Sequence, residues 1–235
     1  MNFNQDDARE SFDYRFERKY VVTELSKYGI ESMLKSHPAF FSEIFYERSI
    51  NNIYFDTHNM KSLVDNISGI SERLKTRVRW YGELLGEVKK PVLELKIKNG
   101  WYGRKEAYPI APFWIEKGFC IQQIEEALEK SDLTPKLHFE MKNMTPTLLN
   151  RYRRKYFESA DHKYRVTIDS DLEYYSLDRL HNVFSKKFSD YHNVVVELKY
   201  RVRDDNGASD ISTLFPFRMT KSSKYVTGVE RTGFW

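Results

Sequence analysis

The sequence predicts an α+β protein built on one antiparallel sheet that closes into a barrel-like tunnel with a charged lumen, flanked by helices. Three observations carry this expectation. Segments with period-2 alternation outnumber helical ones. Most neighbouring segments are joined by connections short enough for antiparallel pairing. The polar face of these segments is crowded with Arg and Lys rather than Thr, Ser and Gln.

In chain order, Tyr14 to Val22 alternates and reads as a strand. Thr23 offers an N-cap for a helix through Leu25, Tyr28, Met33 and Leu34 that ends near Ser36-His37-Pro38. Glu43 to Phe55 is rich in aromatic and β-branched residues, with a break expected around Asn51-Asn52. Thr57 caps a second helix with Met60, Leu63, Val64 and Ile67 on one face, stopped by Gly69. Ser71–Tyr81 and Pro91–Lys98 alternate strongly, Glu87-Val88-Lys89 reads as loop, and Asn99-Gly100 signals a hairpin into Trp101–Ile110. A helix is expected at Cys120–Lys130 and a short helical turn at Thr145–Leu149. Strands follow at Tyr152–Glu158, Tyr164–Asp169 and Asn193–Arg203, then a helical piece around Asp210–Leu214 and a Lys/Ser/Gly-rich tail.

The 235 residues are 40% hydrophobic and 31% charged, with 16 Tyr and 16 Phe, which supplies a core and excludes wholesale disorder. With 10 Gly and one Cys, collagen-like and disulfide-scaffold classes are excluded. No linker divides the sequence, so residues 13–235 are expected to form one domain after a loose segment, 1–12. The start, MNFNQDDARESF, has no basic region leading into an apolar stretch, and no apolar run approaches membrane-spanning length. With Cys120 alone, the expectation is a cytoplasmic protein without a membrane segment. The net charge of +4 does not by itself argue for nucleic acid; the placement of the cations matters more.

That placement is systematic. Side chains alternate across a strand, so Arg73, Lys75, Arg77 and Arg79 share one face against Leu74, Val78 and Trp80. Glu94, Lys96 and Lys98 oppose Leu93, Leu95 and Ile97. Glu197, Lys199, Arg201 and Arg203 oppose Val196, Leu198, Tyr200 and Val202. Arg15, Glu17 and Lys19 oppose Phe16 and Tyr20, and Arg165 and Asp169 oppose Val166 and Ile168. One such strand reads as a solvated outer face. Five together place like charges opposite one another, which repel unless an anion joins them. Turned inward, the charged faces make a lumen suited to a multiply charged anion, with phosphate chains the obvious candidate. Glu-x-Lys recurs at Glu17-Arg18-Lys19, Glu94-Leu95-Lys96 and Glu197-Leu198-Lys199, where carboxylates could hold a divalent cation while the lysines hold phosphate.

No zinc-type His pairing, P-loop or dinucleotide fingerprint appears. Cys120 reads as a small core residue. The aromatics fall mostly on the face opposite the cations, where a core needs them, so nucleic-acid binding is not expected.

The motifs Arg-x-Glu-Arg-Lys-Tyr at 15–20, Ile-Tyr-Phe-Asp-Thr at 53–57 and Arg-Val-Arg-Trp-Tyr at 77–81 occur in order with Leu-Glu-Leu-Lys at 93–96 and Tyr-Arg-Val-Thr-Ile-Asp at 164–169. Val-Glu-Leu-Lys at 196–199 and Lys-Ser-Ser-Lys-Tyr at 221–225 complete the series. The set resembles the VTC domain, the polyphosphate polymerase branch of the CYTH-like triphosphate tunnel metalloenzyme superfamily. The resemblance implies an antiparallel β tunnel and transfer of the ATP γ-phosphate to a polyphosphate chain. It implies phosphate contacts from Lys19, Arg77, Arg79, Lys96, Arg154, Arg165, Lys221 and Lys224, with Arg77, Arg79, Lys96 and Glu197 at the catalytic centre. Lys221 and Lys224 would close or gate the tunnel. Glu197 is implied as the main ligand of Mn²⁺ or Mg²⁺, with Glu17 and Glu94 as further candidates. Hydrolase and cyclase relatives open with Glu-x-Glu-x-Lys; Arg15 replaces the first Glu here, which favours the polymerase-like branch. The chain shows neither the N-terminal phosphate-sensing domain nor the membrane helices of the eukaryotic complexes and is similar to stand-alone microbial VTC-domain proteins. Expected partners are ATP or inorganic triphosphate or polyphosphate, with any membrane-protein partner left open. Three activities stay open: polymerase, inorganic tripolyphosphatase, or a non-catalytic polyphosphate-binding sensor.

Overall fold

Alternation of apolar and charged residues dictates most of what is observed in the computed structural model, which describes residues 15–100, 102–184 and 187–233. Tyr14 and the segment expected to be loose lie outside these residues. The eleven strands are β1 (Arg15–Val22), β2 (Ser42–Thr57), β3 (Arg73–Tyr81), β4 (Gly86–Val88), β5 (Val92–Asn99), β6 (Tyr102–Pro109), β7 (Phe113–Ile115), β8 (Met144–Glu158), β9 (Tyr164–Ser176), β10 (Lys187–Asp190) and β11 (Val194–Arg201). The helices are α1 (Lys27–Lys35), α2 (Lys61–Ile67), α3 (Gln122–Glu129), α4 (Pro135–Lys142), α5 (Asp205–Thr213) and α6 (Lys224–Thr232).

Nine strands form one antiparallel sheet in the order β1-β11-β9-β8-β2-β3-β5-β6, with β10 added to β9, while β4 and β7 pair separately. The β5–β6 hairpin turns at Gly100, whose φ of 58° is the left-handed conformation that glycine adopts freely. The apolar sides face outward. Ile53, Val78, Trp80 and Leu93 pack under Ile124 and Leu128 of α3 and Leu137 and Met141 of α4. Tyr20, Val166, Val196 and Leu198 pack under Ile30 and Leu34 of α1 and Ala208 and Ile211 of α5. The charged sides face inward.

The expected closed barrel is corrected in one respect. Among the described residues no ladder joins β1 to β6, so the sheet curls towards a tunnel without hydrogen-bonded closure. The free edge of β1 is instead met by the segment before α6: Thr220 N donates to the Lys19 carbonyl and Val21 N donates to Thr220 Oγ1. The returning chain takes hydrogen bonds that a closing strand would have made.

Several local expectations also change. α1 starts at Lys27 because Ser26, not Thr23, caps it by accepting from Gly29 N. β2 runs unbroken through Asn51 and Asn52, since Asn51 donates to the Gly82 carbonyl and Asn52 bonds Asn150 and Arg79. Its irregularities fall at Glu43/Phe45, Phe45/Arg48 and Tyr54/Phe55. The α2 start depends on Asp56, which accepts from Ser62 N and Leu63 N, while Thr57 accepts from Lys61 N. Of the expected apolar face of α2, Leu63 is buried but Val64 and Ile67 are exposed. Glu87-Val88 lies in β4 rather than a loop. Cys120 is half-buried and precedes α3. Thr145–Leu149 is strand, and the helix in that region is α4, capped by Thr134 with Pro135 in its first turn. The tail contains α6.

Candidate phosphate-binding lumen

Strand parity places the site. The inward positions of β1, β3, β5, β8, β9 and β11 converge, and their side chains sort into two ion-pair groups. In the first, Arg77 donates through Nε and Nη2 to Glu94 Oε2 at 2.9 and 2.7 Å. Arg79 lies 3.6 Å from the same oxygen, and Lys105 of β6 donates to Glu94 Oε1 at 3.2 Å. Arg79 is further held by Asn52 Oδ1 at 2.8 Å and Tyr152 Oη at 3.1 Å.

The second group centres on Glu197, whose side chain is only 8% exposed. Lys199 approaches it at 2.7 Å, Lys19 at 3.3 Å, Arg154 at 3.6 Å and Lys224 at 4.0 Å. Asp169, fully buried, takes both Arg154 Nε and Nη2 at 2.5 and 2.6 Å and Lys224 at 2.6 Å. Across the lumen, Lys96 donates to both oxygens of Glu17 at 3.0 Å, and Lys19 lies 3.7 Å from Glu17.

The electrostatics follow from this crowding. Burial would raise the Glu17 carboxyl, but Lys96, Lys199 and Lys19 hold it down to about 2. Glu94 is likewise about 2, because Arg77, Arg79 and Lys105 outweigh its burial. Glu197 and Asp169 lie below the usual carboxylate range: burial works against this, and Lys199 and Lys19 for Glu197, and Arg154 and Lys224 for Asp169, overcome it. Carboxylate partners likewise raise Lys19, Arg77 and Arg154 against their burial, whereas two lysines are left short of counter-charge. Burial and the neighbouring Lys19, Lys96, Arg73 and Arg77 lower Lys75 to about 7. Burial lowers Lys96 to about 8, only partly offset by Glu17; its side chain stays 42% exposed, so water screens part of that effect.

Of the expected residues, Lys19, Arg77, Arg79, Lys96, Arg154, Lys224, Glu17, Glu94 and Glu197 meet on the inner face. Two do not join them. Arg165 has the right parity, but its side chain is 56% exposed and donates to Glu158 at 2.7 Å near the strand end. Lys221 is exposed with no ion pair among the described residues. Glu94 belongs to a different ion-pair group from Glu17 and Glu197, which share Lys19.

Asp169, Lys75, Lys199, Lys105, Asn52, Tyr152 and Thr167 were not among the expected site residues. Asp169, Lys75 and Lys199 were signalled by alternation. Asn52 was obscured because an Asn pair reads as a turn. Two buried polar atoms on the inner face, Thr167 Oγ1 and Asn150 Nδ2, have no partner among the described residues. The aromatics expected mostly opposite the cations include exceptions: Tyr54, Tyr81, Tyr152 and Tyr156 lie on the cation face, each beside an arginine.

Among the described residues no group of three or more His, Cys, Asp or Glu side chains is arranged to hold a metal, and no helix is long and apolar enough to cross a membrane. The carboxylates present are hard oxygen donors, and Glu17 and Glu197 already share one cation, Lys19. This set fits Mg²⁺ or Mn²⁺ held by one or two carboxylates and completed by phosphate oxygens, not an all-protein cage.

In comparisons with known proteins, no curated protein matches the chain in sequence. A candidate adenylate cyclase from Vibrio parahaemolyticus superposes with a TM-score of 0.51 at 13% identity, covering 91% of this chain and 97% of that one. This likeness supports the shared fold. A candidate adenylyl cyclase from Hippeastrum, HpAC1, in which triphosphatase activity is dominant, aligns at 14% identity with a TM-score of 0.49, over 94% of this chain and 95% of its own. The VTC domain family matches residues 14–232, nearly the whole described chain, and the protein belongs to that family.

Proposed function

We propose that this lumen performs metal-dependent phosphoryl transfer on a triphosphate or polyphosphate, as an ATP-dependent polyphosphate polymerase. The observation that carries this reading is an excess of cations the protein does not neutralise. Lys19, Lys75, Arg77, Arg79, Lys96, Lys105, Arg154, Lys199 and Lys224 surround Glu17, Glu94, Asp169 and Glu197. Lys75, lowered first by burial and then by Lys19, Lys96, Arg73 and Arg77, reflects that excess in part. A bound polyphosphate would offer many oxygens to these donors, and Thr167 and Asn150 would gain partners.

In the transfer, the terminal oxygen of the acceptor chain attacks the γ-phosphorus, the bond to the β,γ-bridging oxygen breaks, and ADP leaves. Arg77, Arg79, Lys96 and Arg154 would orient the phosphates and neutralise charge spread over the equatorial oxygens. Glu197 and Glu17 would hold the divalent cation, which when bound supplies charge neutralisation at the phosphoryl oxygens. Asp169 would fix Arg154 and Lys224 in place.

Inorganic tripolyphosphatase activity, with water as acceptor, is the second reading. It is favoured by α6, which fills one end of the lumen (Tyr225 and Val229 against Leu148 and Val195), so a growing chain has no straight passage through. The test is ³¹P NMR of the purified protein with ATP and Mn²⁺. Growing internal-phosphate resonances with ADP support the polymerase; intact ATP overturns it. Orthophosphate release from tripolyphosphate supports the hydrolase. Binding without turnover, unaffected by Glu197→Lys, would identify a sensor.

A further inference from the structure

The apolar and the charged parts of the inner face meet at one tyrosine. Tyr54 of β2 is buried, and its register partners are Arg77 on β3 and Leu148 on β8. Its ring belongs to the apolar cluster under α6, where it stacks on Tyr225 with ring centres 5.1 Å apart and planes inclined by 26°. Its hydroxyl reaches the other way. Arg77 Nη1 donates to Tyr54 Oη at 3.3 Å, and the Arg77 guanidinium carbon lies 5.9 Å from the Tyr54 ring centre.

The helix side of this contact is fixed in turn. Tyr225 Oη donates to Asp56 Oδ2 at 2.7 Å and lies 3.3 Å from Thr147 Oγ1, which donates to the Tyr54 carbonyl at 3.2 Å. Asp56 also accepts from Ser62 N and Leu63 N, so one buried carboxylate ties Tyr225 to the backbone of α2.

The donors of Arg77 show what the tyrosine adds. A guanidinium carries five N–H groups in a planar fork. Arg77 spends its Nε–H and one Nη2–H on Glu94 Oε2, and one Nη1–H on Tyr54. One N–H remains on each terminal nitrogen, and two such donors side by side suit phosphate oxygens. Glu94 grips the fork through one oxygen, about which the plane can pivot. Tyr54 supplies the second point that fixes the plane.

We infer that Tyr54 is a positioning residue for Arg77 and that Tyr225 holds Tyr54, so that the seating of α6 sets the angle at which Arg77 meets phosphate. The inference rests on the phosphate-binding reading of the lumen and deepens it. It gives α6 a second link to the site, on the Arg77–Glu94 side, separate from Lys224 on the Asp169 side.

The test is calorimetric titration with inorganic tripolyphosphate and Mg²⁺ of the wild type, Tyr54→Phe, Arg77→Lys, the double variant and Tyr225→Leu. Tyr54→Phe keeps the ring and its stack and removes only the hydroxyl. Arg77→Lys keeps the charge and removes the planar fork. Tyr54→Phe should weaken binding roughly 5-fold or more in the wild type, but less than about 2-fold in Arg77→Lys, where no fork is left to position. Equal factors in both backgrounds overturn the positioning role and leave the phosphate lumen standing, because a merely structural loss does not depend on Arg77. Tyr225→Leu should reproduce the loss seen in Tyr54→Phe; wild-type affinity in that variant overturns the link to α6. Should Tyr225→Leu fail to fold by circular dichroism, Tyr225→Phe, which loses the Asp56 anchor, decides by the same comparison. Wild-type protein that does not bind tripolyphosphate overturns the lumen reading and the inference with it.

Discussion

The inner face of the sheet has two ends that share β11 and are built in opposite ways. At one end β2, β8, β9 and β11 present Ile50, Leu148, Leu172, Tyr174 and Val195 inward, and α6 packs Tyr225 and Val229 against them. At the other, β1, β3, β5 and β11 present Glu17, Lys19, Arg77, Arg79, Glu94, Lys96 and Glu197, none of which joins that apolar cluster. Val195 and Glu197 are neighbours of equal parity on one strand. Backbone geometry therefore does not choose between plug and site. Two residues along a strand, the choice of an apolar or an ionic side chain does, because apolar surface gains by excluding water and paired ions must keep some. Gly228 makes the plug possible: a Cβ there would collide with the Leu148 and Tyr174 side chains.

The comparison breaks hardest at Asp169, which ties the two ends by holding Arg154 and Lys224. Asp169→Asn leaves two buried cations short of a counter-charge and should cost about 3–5 kcal/mol. That is a fall of roughly 6–20 °C in melting temperature, and tripolyphosphate should recover part of it. A melting temperature within 2 °C of wild type, a margin of about half to one kcal/mol for this chain length, would mean that the ion-pair network does not bind plug to site.

Next comes the apolar end. Leu148→Ala removes a fully buried side chain beneath α6 and should cost about 2–5 kcal/mol in urea denaturation. If α6 also positions Lys224 for the site, polyanion affinity falls with stability, since Lys224 shifts as the helix loosens; unchanged affinity would make α6 only a plug and separate the two ends.

A smaller effect sharpens the charged end. Lys75, lowered to about 7 by burial and then by Lys19, Lys96, Arg73 and Arg77, is half neutral near neutrality in the free protein. A bound polyanion favours its charged form, so binding takes up protons and affinity falls as pH rises above about 7, by at most about tenfold per unit from this group. The free protein shows the converse. Between about 7 and the ordinary lysine value of 10.5 the unfolded chain holds more protons, so this group adds stability as pH rises. Titration calorimetry in buffers of different ionisation enthalpy measures the proton uptake, and Lys75→Met should remove most of it near pH 7, leaving the share of Lys96, lowered to about 8. Uptake unchanged by the substitution assigns it elsewhere.

The smallest effect is expected at Arg165. Its pair with Glu158 is half-exposed, so Arg165→Ala should cost under about 1 kcal/mol and weaken tripolyphosphate binding less than Arg154→Ala. Equal losses would bring Arg165 into the lumen when ligand is bound.

Much of this was legible in sequence. The parity of Arg77 and Arg79 against Val78 and Trp80, or of Glu197 against Val196 and Leu198, fixes which side chains share a face, because strand alternation is a local property of the backbone. The motifs carry the family for the same reason: they are short and lie within single strands. Asn51-Asn52 misled because the turn preference of Asn is intrinsic, whereas its side-chain partners, Gly82, Arg79 and Asn150, are supplied by other strands. α6 escaped notice because Thr227 and Gly228 lower its helix propensity, and its stability comes from contacts with residues far away in the chain, such as the Tyr225 hydroxyl on Asp56. What the sequence alone determined is the side of the sheet on which each charge stands. Which cation meets which carboxylate, where the sheet stays open, and that one end is plugged while aromatic rings line the other were decided only by the tertiary structure. Those are pairings between residues often more than a hundred positions apart, and periodicity carries no information about distance through space.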